Sequence, residues 1–231
     1  MYWQEEKRAA DFEVPDDVVD VVFAINCREL PVDHAHALSA ALLRAAPWIE
    51  GERLIGVHTV HVAGSQNGWE RPAHGTGERL RLSRRTRLAL RAPKAAVDRL
   101  LADLAGAVLD VDGCRLEIGE AHTRLLSKQG TLHARYVVAE AADEREDAFL
   151  ARMAAELATM GIPLRRALCG KTTLLHTPEG AVPTRSLMVA DLNPEQAVRL
   201  QQQGLGPLRR MGCGLFIPHK GIDSVRGAED D

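Results

Sequence analysis

The sequence has few aromatic residues: three tryptophans, two tyrosines and four phenylalanines, 4% of its 231 positions. Platforms that stack bases on aromatic side chains of central strands are therefore not evident. Any nucleic acid would be held through its phosphates and its shape. Cysteine is scarce as well. Cys27, Cys114, Cys169 and Cys213 lie far apart and form no CxxC pair. That speaks against a disulfide framework or a structural zinc site, and for the reducing cytoplasm. Long apolar runs are missing: VVDVVFAI and LLADLAGAVL fall short of the roughly 18 residues a membrane span needs. The polar, acidic opening MYWQEEKRAADFEVPDD predicts no secretion signal. What remains is a globular composition, 45% hydrophobic and 26% charged, with no membrane partner expected.

An overall excess of positive charge is also absent, since the formal net charge is −3. Nucleic-acid-binding domains are usually basic, so distribution has to decide. Acidic residues crowd the first 20 positions, the stretch 140–147 and the tail from Glu229 to Asp231. The segments 79–91, 157–178 and 196–222 contain no acid at all. The middle and end of the chain can therefore carry positive faces.

Apolar periodicity places strands at 17–28, 56–64, 79–91 and 114–126, with helices opening at Pro31 and Lys94. Asp33 is the expected N-cap of the first helix, and the second runs to 109. The order βαββαβ then repeats, with a strand at 131–140 and a helix at 146–160. Two strands follow around the turn 177–180, then a helix from Pro194 capped by Asn193 and a short strand after 214. The predicted fold class is α+β, with tandem ferredoxin-like (RRM-like) βαββαβ domains at 17–127 and 128–225.

The most specific motif is Gly204-Leu-Gly206-Pro-Leu-Arg-Arg-Met-Gly212-Cys-Gly214, two GxG pairs between a helix and the terminal strand. Glycine accepts positive φ and lets backbone approach a ligand, so successive N–H groups in such a loop are expected to cradle phosphate oxygens. Arg209 and Arg210, at the expected tip, would add charge-assisted bonds. Along the predicted strand 79–91, alternation puts Arg79, Arg81, Ser83, Arg85, Arg87 and Arg91 on one face and leucines on the other. Same-face residues recur about every 6.6 Å, close to the phosphate spacing of an extended strand. An all-basic row there predicts an RNA track. Arg165, Arg166, Lys171 and Arg185 would extend it from the second half, and His219 and Lys220 follow the glycine loop.

The glycine-rich loop resembles that of the CRISPR-associated RAMP superfamily. Together with two ferredoxin-like halves and the run PVDHAHAL opening the first helix, the chain looks like the sixth Cas family of repeat-processing endoribonucleases. The likeness spans about residues 17–225. It implies metal-independent cleavage of CRISPR repeat precursor RNA by 2′-hydroxyl attack, with no cofactor and no metal. CRISPR repeat RNA is then the expected partner, retention with other Cas effector-complex subunits is a further expectation, and the protein would be a monomer or homodimer. It also implies an active-site histidine near the first helix, the place held here by His34. The family's neighbouring tyrosine is missing, so His36, or a distant lysine or arginine, is left to assist. Two apart on a regular helix, His34 and His36 would diverge by about 200°, and they converge only if the helix begins between them. A non-catalytic RAMP subunit that scaffolds guide RNA shares the fold and the loop. A general RNA-binding module fits less of the pattern.

Other signals are weaker. Cys169-Gly170-Lys171-Thr172-Thr173 imitates a P-loop tail, but Arg165 stands where that motif needs glycine. His58 and His61 would face opposite sides of a strand and have no cysteine or HExxH partner.

Overall fold

The computed structural model describes residues 12–61 and 78–219. Lys220 lies outside the described residues. The first half contains β1 (Val18–Asn26), β2 (Glu29–Pro31), α1 (Ala35–Ala45), β3 (Gly56–Val57), β4 (Arg79–Arg81), β5 (Arg87–Pro93), α2 (Val97–Leu104), β6 (Val108–Val111) and β7 (Cys114–Arg124). The second contains β8 (Leu132–Val138), α3 (Glu146–Thr159), β9 (Arg166–Thr177), β10 (Gly180–Ala190), α4 (Pro194–Gln203) and β11 (Phe216–Pro218).

The first sheet has the order β3-β5-β1-β7-β6 and the second β11-β8-β10-β9. Leaving out the edge strand β6, both place the last strand beside the first and the two middle strands on its other side. This is a tandem ferredoxin-like fold. Each half buries one sheet face under its two helices. Val21, Phe23 and Ile25 of β1 and Leu88 and Leu90 of β5 pack with Leu38 and Leu42 of α1 and Leu100 and Leu104 of α2. In the second half Phe149, Met153 and Leu157 form one stripe of α3, four residues apart, against Leu187, Val189 and Phe216. Each such side chain contributes about 1.5–3 kcal/mol on burial.

Helix α4 begins as its sequence predicts. Asn193 Oδ1 accepts from the Gln196 amide while Gln196 returns the bond to the Asn193 N–H, and Pro194 occupies the first turn.

The second helix, the strand expected at 79–91 and the placement of Arg91 differ from expectation. The second helix stops at Leu104, because Gly106 turns the chain at φ +79 and residues 108–111 pair with β7 as a hairpin around Asp112-Gly113. Residues 79–91 are not one strand. β4 pairs with β2, while β5 pairs with β1 in the main sheet, and a turn held by Ser83 and Thr86 separates them. The basic row is thereby broken. Arg79 lies beside Glu29 and Arg115 in one surface cleft, whereas Ser83, Arg85 and Arg87 line another.

The third difference concerns Arg91, which alternation places on the exposed basic face. It is fully buried, because the second half covers that end of the first sheet: Val18 and Leu126 pack with Val198 of α4. Arg91 is a staple between the halves. Its Nε and Nη2 donate to the Asp20 carboxylate at 2.9 and 3.3 Å, and its Nη1 donates to the carbonyls of Gln201 and Phe216 at 3.0 and 2.8 Å. Gln201 adds a second tie, exchanging hydrogen bonds with the backbone of Ser127 in the connection between the sheets.

Candidate active site

Helix α1 does begin between the two histidines. His34 is its N-cap and Ala35 its first residue. The expected cap, Asp33, is drawn away by β9: its Oδ2 accepts from both the backbone N–H and Nδ1 of His176, at 2.9 and 2.8 Å. The break in the helix does not bring the two rings together. His34 turns into the core, only 1% exposed. Its Nδ1 lies 2.8 Å from the Pro31 carbonyl, and its Nε2 accepts the Val60 amide proton at 2.9 Å. A nitrogen that accepts an N–H carries no proton, so this geometry assigns the neutral Nδ1–H tautomer. His34 fastens the start of α1 to the segment after β3. This setting, buried and with both ring nitrogens engaged, argues against its expected place as the acid–base group.

His36 has the opposite setting. With Ser39, Ala40 and Leu43 it forms one stripe of α1, at helical spacing, facing a cleft of about 430 Å³. The far wall of that cleft is the glycine loop from Gly206 to Met211, and Arg53 and Arg210 also line it. A helix of the first half and a loop of the second thus meet across one groove. Beneath the groove, Ala35, Tyr136, Leu175, Met211 and Cys213 form a buried cluster that fixes the two sides against each other.

The loop itself corrects an expectation. All four of its glycine amides are engaged within the protein. Gly204 N–H donates to Leu200 O, Gly206 to Glu156 Oε1, Gly212 to Arg209 O and Gly214 to Tyr136 O, at 2.7 to 3.0 Å. These amides hold the fold together and do not form an open phosphate cradle. The glycines are required for conformation and close packing. All four have positive φ, and a Cβ on Gly214 would sit 1.8 Å from the Leu205 carbonyl oxygen. At Gly206 a Cβ would meet nothing within 4 Å. Gly214→Ala is therefore expected to lower the unfolding free energy by more than about 3 kcal/mol, and Gly206→Ala by about 1–2 kcal/mol, the strain of a left-handed residue alone. Urea unfolding of the two variants tests the difference.

Arg209 points inward as well. Its guanidinium donates to the carbonyls of Gln202, Gln203 and Leu54, capping the end of α4. Burial, with Arg91 nearby, pushes its pKa down to about 10. Arg210 makes one bond, to the Glu50 carbonyl at 3.1 Å.

The remaining basic residues are divided among separate surfaces. Ser83, Arg85, Arg87 and Arg124 share a cleft of about 290 Å³ with His58 and His61 of the segment after β3 and Ile217 of β11. Arg185 is half-buried and donates to the carbonyls of Glu144 and Gly170, so it stabilises the second half. Arg166 pairs with Asp191 at 3.3 Å. Arg81, Arg165 and Lys171 are exposed and line neither of these two clefts. His219 packs beside His133, with ring centroids 5.6 Å apart. Burial, with His219 and Arg135 close by, pushes the His133 pKa down to about 4.

His176 was not singled out by the sequence. It is a lone histidine in a hairpin strand, and its meaning depends on Asp33, 143 residues away.

Two ferredoxin-like halves, locked by a buried arginine, meet at a glycine-rich loop. The family described as Cas6 Crispr matches residues 19–221. A relative from Myxococcus xanthus (strain DK1622), the CRISPR-associated endonuclease Cas6, is 32% identical over 200 residues, covering 87% of this chain and 81% of its own. The chain belongs to the Cas6 family. Solved structures of similar fold include a CRISPR associated protein Cas6 (TM-score 0.58, 10% identity, 88% of this chain and all of the other). They also include a Cas6-related protein from Pyrococcus furiosus (TM-score 0.56, 11% identity, 86% and 97%). Among the described residues no helix is long and apolar enough to cross a membrane.

Proposed function

We propose that this chain is an endoribonuclease that cuts CRISPR repeat precursor RNA in the cleft between α1 and the glycine loop, without a metal ion. The family and the endonuclease activity of the Myxococcus relative support the reaction class. One observation carries the location: His36 opens onto a groove built from both halves, flanked by Arg53 and Arg210.

Such cleavage uses the substrate's own 2′-hydroxyl as nucleophile. It needs a base for that proton, an acid for the leaving 5′-oxygen, and positive charge around the five-coordinate phosphorus. Histidine suits proton transfer near neutral pH. His36 supplies one transferring group, and Arg53 and Arg210 supply charge. Arg85, Arg87 and Arg124 hold phosphates of the flanking strand in the second cleft, with Ser83 beside them. Arg79, Arg81, Arg165 and Lys171 offer weaker contacts on the outer surface. The mature guide RNA stays bound to the protein as a monomer or homodimer, for transfer to or retention with other Cas subunits in the cytoplasm.

The test is incubation of the intact protein with repeat-containing RNA in excess EDTA. Defined cutting that leaves a 2′,3′-cyclic phosphate or 3′-phosphate end is the expected result. Tight binding without cutting would favour the scaffold subunit. Cutting that EDTA abolishes would remove the metal-free mechanism.

A further inference from the structure

We infer that His176, held by Asp33, is the second proton-transfer group of this site: the acid that protonates the leaving 5′-oxygen. The inference rests on the proposed cleavage at His36. Ala35 and Leu175 belong to the same buried cluster. Asp33 stands two residues before the first residue of α1 and bonds His176 of β9, so the hairpin strand is held beside the start of the helix that carries His36. Close approach of these elements is also felt at the turn joining β9 and β10. The Glu179 carboxyl there is held below the usual range by its own amide and by Thr177, with His36 contributing.

The His176 ring is held as a positioned acid requires. Asp33 Oδ2 takes two hydrogen bonds from the same residue, one from the main chain and one from Nδ1. The carboxylate therefore fixes the ring as well as the strand. Among the described residues Asp33 Oδ1 is buried without a hydrogen-bond partner, and both hydrogen bonds to the other oxygen come from His176. With Nδ1 occupied, Nε2 is the nitrogen left to carry an exchangeable proton, on a side chain 62% exposed. Protonated there, the ring forms a 2.8 Å ion pair with Asp33.

The reaction then balances. His36 takes the proton of the 2′-hydroxyl as the O2′–P bond forms. The P–O5′ bond breaks, and O5′ receives the proton from His176 Nε2. The products are a 2′,3′-cyclic phosphate and a 5′-hydroxyl. His36 is left protonated and His176 neutral, and solvent restores both. Asp33 is a positioning residue, since it acts only through the ring.

A leaving group that needs no proton isolates the acid. The cut linkage, mapped first with unmodified RNA, is replaced by one in which sulfur bridges phosphorus to the 5′-carbon. His176→Ala and His176→Gln are expected to slow cutting of ordinary repeat RNA by about 100-fold or more, yet to cut the sulfur-bridged RNA close to the wild-type rate. Asp33→Asn should show a smaller loss with the same rescue, and His36→Ala should show none. Equal loss on both substrates would make His176 merely structural and overturn the assignment. Near-normal cutting of ordinary RNA by His176→Ala would overturn it too, and leave the nuclease reading intact. Failure of the unaltered protein to cut either RNA would overturn both.

Discussion

Replacing His36 by alanine slows cleavage of repeat RNA by about two to four orders of magnitude, the usual contribution of a positioned acid or base, while RNA affinity stays near the wild-type value. The ring lines the cleft and belongs to neither hydrophobic core, so its removal leaves the packing of α1 unchanged. His34→Ala has a different signature. It strands the Val60 amide and the Pro31 carbonyl in the interior, at a cost of about 2–4 kcal/mol for the two groups. Its melting temperature falls, but well below the lowered midpoint the variant still cuts. Single-turnover cleavage and thermal unfolding, measured on both variants, separate the two histidines.

The second large effect belongs to Arg91. Arg91→Met leaves the buried Asp20 carboxylate with Arg124, whose Nη2 donates to it at 3.0 Å, and strips the Gln201 and Phe216 carbonyls of their donor. The expected loss is about 3–5 kcal/mol, as for other broken buried pairs, or about 10 °C in melting temperature for a chain of this size. Removing both charges, in Asp20→Leu with Arg91→Met, should recover part of that loss, because desolvation of the pair is then avoided. Acid sensitivity adds a further check. Burial pushes the Asp20 carboxyl up, but the nearby His58 ring and the Arg91 guanidinium outweigh it and hold the pKa well below the usual carboxylate range. A carboxyl lowered on folding contributes its stability above the unfolded pKa of about 3.9 and loses it as pH falls further. The urea midpoint of the wild type should therefore drop more steeply below about pH 4 than that of the double variant.

Element order was legible because period-two and period-3.6 patterns report which face is covered, and both halves bury their sheets under helices. The cap at Asn193 was legible because it depends only on residues 193–196. Arg91 was not. Alternation gives its side of the strand correctly but cannot say that α4 and β11 cover that side. The glycine loop was found by its spacing and misread in its chemistry. Positive φ is written in the glycines, whereas the acceptors of their amides, Tyr136 and Glu156 among them, come from elsewhere in the chain. The histidines show the same limit. Which of His34 and His36 faces the groove depends on where α1 starts, and that start was shifted by Asp33 turning toward His176.

The most direct measurement is a structure of the protein bound to a repeat RNA carrying a 2′-deoxy nucleotide at the cut site, which blocks attack and traps the substrate. The scissile phosphate should lie between α1 and residues 206–211, with the blocked 2′ position within hydrogen-bond reach of His36. A phosphate seated away from that groove, with His36 facing empty solvent, would contradict the account.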